Sequence, residues 1–191
     1  SVFIQTDTWG GLELHAVELA RALARMGHRV RLVSLGPASR FDELLAAREE
    51  PFETCKIPLN AIIGGDSHAA WLAALQPIAG SVAILEKGTY FDGTWAMERA
   101  MARCFTRTYW IEQLTTPRVP FRLDWSGRRH FGVLPGLGLW RVRRQQGTWL
   151  RSLLPHRVIC VSEDVRRSVV EDHGVWRGKV HVVHSGVDAE R

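Results

Sequence analysis

The sequence predicts an α/β fold with three layers, in which helices cover both faces of a mostly parallel sheet. The apolar run at residues 2–4 is followed by a glycine loop, a helical pattern and a second apolar run at 28–34. A strand, a helix and a strand joined by short connections form the parallel crossover unit. Two more short apolar runs, at 81–85 and 157–161, are typical of strands buried on both faces of a parallel sheet.

The first loop and the helix after it contain a pattern that suits an anionic ligand. Gly10 and Gly11 follow the first strand, and residues 12–26 then repeat apolar side chains at helical spacing, which predicts a helix packed on the sheet. Glycine lets a ligand approach the backbone, and the N–H groups at a helix start favour a phosphate. An ordinary tight turn is the alternative that this pattern leaves open.

The remaining elements follow from caps, breakers and periodicity. Gly27 fits the C-terminal cap of the first helix, and Pro51 ends a second helix. Alternating side chains after Pro51 are typical of an edge strand. Ser67 and Ser162 are typical helix N-caps. We expect further helices at 41–50, 67–76, 94–103 and after 162, and strands at 28–34, 52–57, 81–85, 108–112, 157–161 and 179–184.

The region between residues 115 and 154 is irregular and basic. Its distinguishing features are several Pro and Gly residues, basic clusters at 128–130 and 141–144, and Trp125, Trp140 and Trp149. Basic residues interleaved with Trp predict an acceptor-binding surface or peripheral contact with an anionic bilayer. A solvated loop followed by a helix whose Trp side chains lie in the core is the alternative interpretation.

Composition limits the class of protein. The chain has 191 residues and a formal net charge of +5, with a pI near 9.6. This suits phosphate ligands or an anionic membrane surface, and it is also common in domains with no anionic partner. Three widely spaced cysteines argue against a disulfide framework and a zinc ribbon, which favours a reducing cytoplasm. With no run of membrane-spanning length and no secretory signal, we expect a soluble or membrane-peripheral protein.

Several common catalytic motifs are absent from the sequence. The glycine pair does not have the GxGxxG spacing of dinucleotide-binding loops, and the chain has no Walker A, HExxH or GxSxG motif. His181 and His184 are close in sequence, but we expect them on opposite faces of a strand. We expect no metal site and no cofactor, and we expect no nucleic acid among the partners.

Polar residues follow the predicted strands at their carboxyl ends, where open parallel sheets bind ligands. Glu86 and Lys87 follow one strand, Glu112 and Gln113 close the next, and Ser162 follows another. Carboxylates at such an edge are suited to accept hydrogen bonds from sugar hydroxyls. Charges on a solvated loop are the alternative for Glu86 and Glu112, and a helix cap explains Ser162 equally.

Two motifs resemble the family-4 retaining glycosyltransferases of the GT-B fold. Residues 10–15, GGLELH, and residues 18–30, ELARALARMGHRV, are similar to that family's GGxExH and ELARALxxxGHxV opening. Residues 157–163 and 179–188 look like the segment that closes the family's N-terminal domain. The two motifs bracket nearly the whole chain in the family's order.

The resemblance implies two Rossmann-like domains that face a cleft, with the acceptor mainly on the N-terminal domain and the nucleotide-sugar donor on the C-terminal one. Residues 1–191 then form the single N-terminal, acceptor-side domain, and the donor-binding domain is absent. Gly10 and Gly11 would lie against the donor diphosphate. We expect Glu112 to be catalytic, and we expect sugar or acceptor contacts from Glu13, His15, Glu86, Lys87, Gln113 and Ser162. Many members carry a His where this strand ends in Glu112 and Gln113.

We expect a hexosyltransferase-type enzyme that moves a sugar, with retention, from a nucleotide-diphosphate donor to a hydroxyl of a saccharide, lipid or small molecule. The family's E-x7-E signature and basic phosphate-binding pair belong to the C-terminal domain, so we expect the isolated chain to transfer little or no sugar. The alternatives are a non-catalytic saccharide-binding or assembly module and a metal-independent sugar-nucleotide epimerase. We expect a cytoplasmic location with peripheral contact at the inner membrane face.

Overall fold

A computed structural model describes residues 1–5, 10–36, 45, 49–57, 67–88, 93–115 and 150–184. In this part of the chain, seven strands form one sheet in which every neighbouring pair is parallel, with the order β3-β2-β1-β4-β5-β6-β7. The strands are β1 (Val2–Gln5), β2 (Arg31–Leu35), β3 (Glu53–Ile57), β4 (Gly80–Lys87), β5 (Phe105–Glu112), β6 (Arg157–Cys160) and β7 (Val180–Val182).

Helices cover both faces of the sheet. The helices of the described residues are α1 (Gly11–Arg25), α2 (His68–Leu75), α3 (Trp95–Cys104) and α4 (Glu163–Arg167), and α4 continues as a π-helical segment, Ser168–Asp172. Short 3-10 turns follow at Gln76–Ile78 and Arg177–Lys179. The expected Rossmann-like α/β sandwich with a parallel sheet is confirmed, and β3 lies at an edge as its alternating sequence predicts.

The predicted element boundaries differ from the structure in two ways. The second strand begins at Arg31 rather than at residue 28, because Gly27 turns the chain with a positive φ of 85° and residues 28–30 make the connection. β4 extends to Lys87, beyond the expected 81–85, and β5 begins at Phe105 rather than at residue 108 but ends at Glu112 as expected. Lys87 and Glu112 are register partners. The expected helix at 41–50 and the irregular region at 115–154 lie mostly outside the described residues.

The core has two halves because side chains alternate along each strand. Val2 and Ile4 of β1 pack toward α1, together with Ala16 and Val17. Phe3 points the other way and packs edge-on against Phe105, with the ring centroids 5.5 Å apart, in the half that α2, α3 and α4 cover. Each face of the sheet therefore has its own apolar layer, which explains why central strands read as continuous apolar runs.

A cluster of charged side chains is buried on the face that carries α3. Lys87 Nζ lies 3.1 Å from Glu98 Oε1 and 3.8 Å from Glu112 Oε1, and all three side chains are inaccessible to solvent. Arg151 donates from Nε to Glu98 Oε2 over 2.7 Å. Lys87 also stands 4.2 Å from the centroid of the Trp110 ring, a cation–π contact. We call Lys87, Glu98, Glu112 and Arg151 the buried charge cluster.

A second lysine joins the last strand to the segment before β6. Lys179 Nζ donates to the carbonyl oxygens of Ser152 at 3.1 Å, Leu153 at 3.2 Å and Pro155 at 2.9 Å. An ammonium group has three N–H donors, so the three contacts match its full donor capacity. Burial and the nearby charge of Arg157 lower the pKa of Lys179.

Replacing Lys87 should destabilise the fold strongly. In Lys87→Met the side chain volume is similar, but Glu112 and Glu98 lose the cation that offsets their burial, so we expect a loss of about 3–5 kcal/mol in the free energy of unfolding. Arg99→Met, which removes an exposed cation from α3, is the matched control and should change stability little. Urea denaturation measures both, and equal losses for the two variants would contradict the role of Lys87.

Replacing Lys179 should loosen the connection that precedes β6. Lys179→Met leaves three carbonyl groups without their donor, and because the site is only partly buried we expect a loss of about 1–2 kcal/mol. Arg177→Met, in the same 3-10 turn but exposed, is the control. Amide hydrogen exchange of residues 150–155 and thermal unfolding are the measurements. Unchanged exchange in Lys179→Met would show that these contacts do not hold the segment.

Candidate functional site

The strand order reverses at β1, which has β2 on one side and β4 on the other. The chain builds the sheet in one direction from β1 to β3 and then in the other direction from β4 onward. In open parallel sheets the crevice at such a reversal, outside the carboxyl ends of the strands, is where ligands bind. The start of α1 and the ends of β4 and β5 meet at this edge, and most of the predicted site residues lie there.

The start of α1 is a glycine N-cap with open space beside it. Gly10 is the N-cap residue in an extended conformation, and its carbonyl accepts from the Leu14 N–H over 3.2 Å. A Cβ added to Gly10 would lie 3.3 Å from Glu13 Oε2, whereas a Cβ added to Gly11 would meet none of the other described elements within 4 Å. The side chain of Glu13 is thus folded back over Gly10 and buried. The first N–H groups of a helix point outward along its axis, toward the strand-end edge.

His15, Glu86 and Gln113 are brought together by three different elements. His15 Nδ1 on α1 lies 3.1 Å from Glu86 Oε1 at the end of β4, and Gln113, just after β5, donates from Nε2 to Glu86 Oε2 over 3.0 Å. The side chain of Glu86 is fully buried, while that of His15 is 32% exposed. The hydrogen bond to Glu86 raises the pKa of His15 despite partial burial. We call these three residues the His15 triad.

Lys87 and Glu112, at the ends of β4 and β5, lie on the other face of the sheet, which α3 covers. Because neighbouring residues of a strand alternate, Lys87 points toward α3 when Glu86 points toward α1, and Glu112 is the register partner of Lys87. Both side chains belong to the buried charge cluster and are inaccessible to solvent. Both side chains are thus buried in this domain. The expected catalytic role of Glu112 and the expected sugar contact of Lys87 stay predictions.

Ser162 follows β6 and caps α4. Its Oγ accepts from the Val165 N–H over 3.2 Å, with Glu163 and Asp164 in the first turn. This is the helix-cap alternative that the sequence offered for Ser162. A hydroxyl oxygen has a second lone pair and a donor proton, so the cap and a contact with a ligand are compatible.

Two charged residues of the buried charge cluster were not identified from the sequence. Glu98 lies on the buried face of α3 beside Met97 and Met101, and a carboxylate among apolar residues at helical spacing is the signal that points to it. Arg151 donates to both oxygens of Glu98 and to the Gly93 carbonyl. Nothing local in the sequence marks Arg151, because its partners are more than fifty residues away along the chain.

The three cysteines of the chain lie among the described residues and form no disulfide. All three cysteines are free thiols, and burial raises the pKa of Cys160 to about 12. Among the described residues no three His, Cys, Asp or Glu side chains gather as metal ligands. In the same part of the chain, no helix combines the length and the apolar character needed to cross a membrane.

A solved structure shares this fold. The crystal structure of a glycosyltransferase from Rickettsia africae ESF-5 matches with a TM-score of 0.62 and 13% sequence identity, over 99% of this chain and 43% of that chain. The present chain thus spans less than half the length of that protein. No curated protein matches the chain in sequence.

The sequence itself matches a family profile on both sides of the site. The profile of Glycosyltransferase Family 4 matches residues 9–84, which include the glycine N-cap and α1, and residues 125–191, which include β6, α4 and β7. These two stretches make up well over half of the 191 residues. The chain belongs to Glycosyltransferase Family 4.

Proposed function

We propose that the chain is the acceptor-side domain of a glycosyltransferase that moves a hexosyl group, with retention, from a nucleotide-diphosphate sugar to a hydroxyl acceptor. A saccharide, a lipid and a small molecule are the acceptor classes. In this proposal a C-terminal domain binds most of the donor and completes the cleft, and neither a metal nor a cofactor takes part. The protein acts in the cytoplasm, with peripheral contact at the inner membrane face.

The observation that carries the proposal is the open N-terminus of α1 at the strand-order reversal. Among the described residues, no side chain or distant backbone atom lies within 4 Å of the Cβ position of Gly11, which leaves room for a phosphate to reach the backbone N–H groups there. The helix dipole favours an anion at this point. Leaving-group charge on a diphosphate is the kind of charge that fixed backbone donors stabilise during group transfer.

The predicted site residues take different roles in this proposal. Gly10 and Gly11 contact the donor diphosphate, and Glu13, His15 and Gln113 are the side chains that reach the ligands. Glu86 is fully buried and bonded through both oxygens, so it acts through His15 and Gln113. Lys87 and Glu112, which fix the ends of β4 and β5, keep the sugar contact and the catalytic role expected of them, and Ser162 combines its cap with an acceptor contact.

Replacing Gly11 should separate ligand binding from folding. Gly11→Ala adds a methyl group that meets no other element of the described part of the chain, so we expect stability to stay the same or to rise by about 0.5–1 kcal/mol, as for Gly to Ala in a helix. The methyl group would stand between the backbone and the phosphate, and losing one charge-assisted hydrogen bond weakens binding roughly tenfold or more. Calorimetric titration with nucleoside diphosphates measures the affinity.

Gly80→Ala is the matched control for that experiment. Among the described residues its added Cβ would contact Phe105 at an ordinary 3.9 Å, at the amino end of β4 and far from the strand-end edge. Equal affinity for nucleoside diphosphates in Gly11→Ala and Gly80→Ala would contradict a phosphate site at Gly11. Binding of saccharides alone, with no diphosphate binding, would favour a non-catalytic saccharide-binding module, and sugar-nucleotide epimerisation without an acceptor would favour an epimerase.

A further inference from the structure

The hydrogen bonds of the His15 triad fix which ring nitrogen of His15 carries the proton. An ionised carboxylate only accepts hydrogen bonds. Glu86 Oε1 is 3.1 Å from His15 Nδ1, so Nδ1 must be the donor in both the neutral and the protonated ring. The neutral ring then has its lone pair at Nε2, and the second proton binds there. Gln113 holds the other oxygen of Glu86, which leaves the carboxylate little freedom to turn away.

The direction of the His15 side chain brings the ring toward the first turn of α1. Side chains of a helix lean toward its N-terminus and cover the preceding turn. His15 is four residues after Gly11, a rise of about 6 Å along the helix axis, so its ring extends back toward the open space beside Gly11. With Nδ1 on buried Glu86, the exposed third of the ring is the part that can meet a ligand.

The charges around His15 favour its cationic form. The strands packed under α1 present Val2, Ile4 and Leu32 to it, so within the described residues Glu86 is the charged group that faces His15 from the sheet. On α1 itself, Glu18 is one turn later and is paired with Arg21, and Glu13 is buried over Gly10.

We propose that Glu86, held by Gln113, keeps His15 as a cation whose Nε2–H binds a phosphate group of the substrate at the start of α1. This inference rests on the proposed function, because it adds the titrating side chain of His15 to the diphosphate site. The raised pKa of His15 agrees with it. A raised pKa means that protonation stabilises the folded state below about pH 6.5. That contribution is lost as the pH rises through the raised value.

The test follows the His15 ring by NMR while inorganic pyrophosphate is added to the 191-residue chain. Pyrophosphate is the group common to all nucleoside diphosphate sugars. Long-range ¹H–¹⁵N spectra give the tautomer and the pKa of each His, and His15→Gln assigns the signals. We expect the Nδ1–H tautomer in the neutral ring, a further rise of the pKa on binding, and no response from His68, whose Nδ1 lies 3.4 Å from the Ala96 carbonyl.

Affinity is measured in parallel as a function of pH. We expect binding of pyrophosphate to weaken roughly tenfold as His15 loses its proton, the effect of one charge-assisted hydrogen bond. His15→Gln should lack this change, and comparison with it removes the titration of pyrophosphate itself. Glu86→Gln should lower the pKa of His15 and shift the affinity change to lower pH, whereas Gln113→Leu should leave the pKa of His15 above its ordinary value.

The outcomes distinguish this inference from the proposed function. If Gly11→Val abolishes pyrophosphate binding while His15→Gln binds as tightly as the parent chain, the phosphate site stands and the role of His15 is overturned. An Nε2–H tautomer in the neutral ring would also overturn it. Absence of pyrophosphate binding at every pH would overturn the phosphate site and this inference together.

Discussion

The buried cation of Lys87 is the constraint on which the site geometry depends. Lys87 is enclosed between Glu98 and Glu112. Because an unpaired charge would be costly there, these ion pairs stabilise the observed register of β4. Since side chains alternate, the same register turns Glu86 toward α1 and His15. A slip of β4 by one residue would turn Glu86 toward α3 and Lys87 toward α1. The carboxylate of Glu86 would then face that of Glu98.

The two faces of the sheet therefore carry two kinds of polar structure. On the α3 face, Lys87, Glu98 and Glu112 are inaccessible to solvent, and together with Arg151 they form a cluster of two cations and two carboxylates. On the α1 face, the His15 triad has one fully buried member and one member partly open to solvent. A buried carboxylate that orients a partly exposed ring is an arrangement suited to binding. The buried ion pairs that stabilise β4 and β5 and the side chains suited to ligand contact therefore lie on opposite faces of this strand pair.

Much of this architecture could be predicted from the sequence, and the limits have physical causes. Apolar runs and caps predicted the strands and α1. The rule for carboxyl ends placed Glu86 and Gln113 at the ligand-binding edge of the sheet, where the structure joins them by a hydrogen bond. The face on which each residue lies depends on register, which periodicity does not supply when a strand is apolar throughout. Arg151 reaches Glu98 across fifty-three positions, and only the folded chain shows that pairing.

The strand order also affects how the sheet can assemble. After β4, each strand pairs with the strand made just before it, so β5, β6 and β7 extend the sheet outward in the order of synthesis. Domains generally fold as the N-terminal parts of the chain are made first, and every strand after β4 finds its template already present. The opposite half requires β4 to dock beside β1 after β2 and β3 have been made. That pairing joins Val2 to Ile84, the largest sequence separation between paired strands of this sheet, so it carries the largest single loop-closure cost.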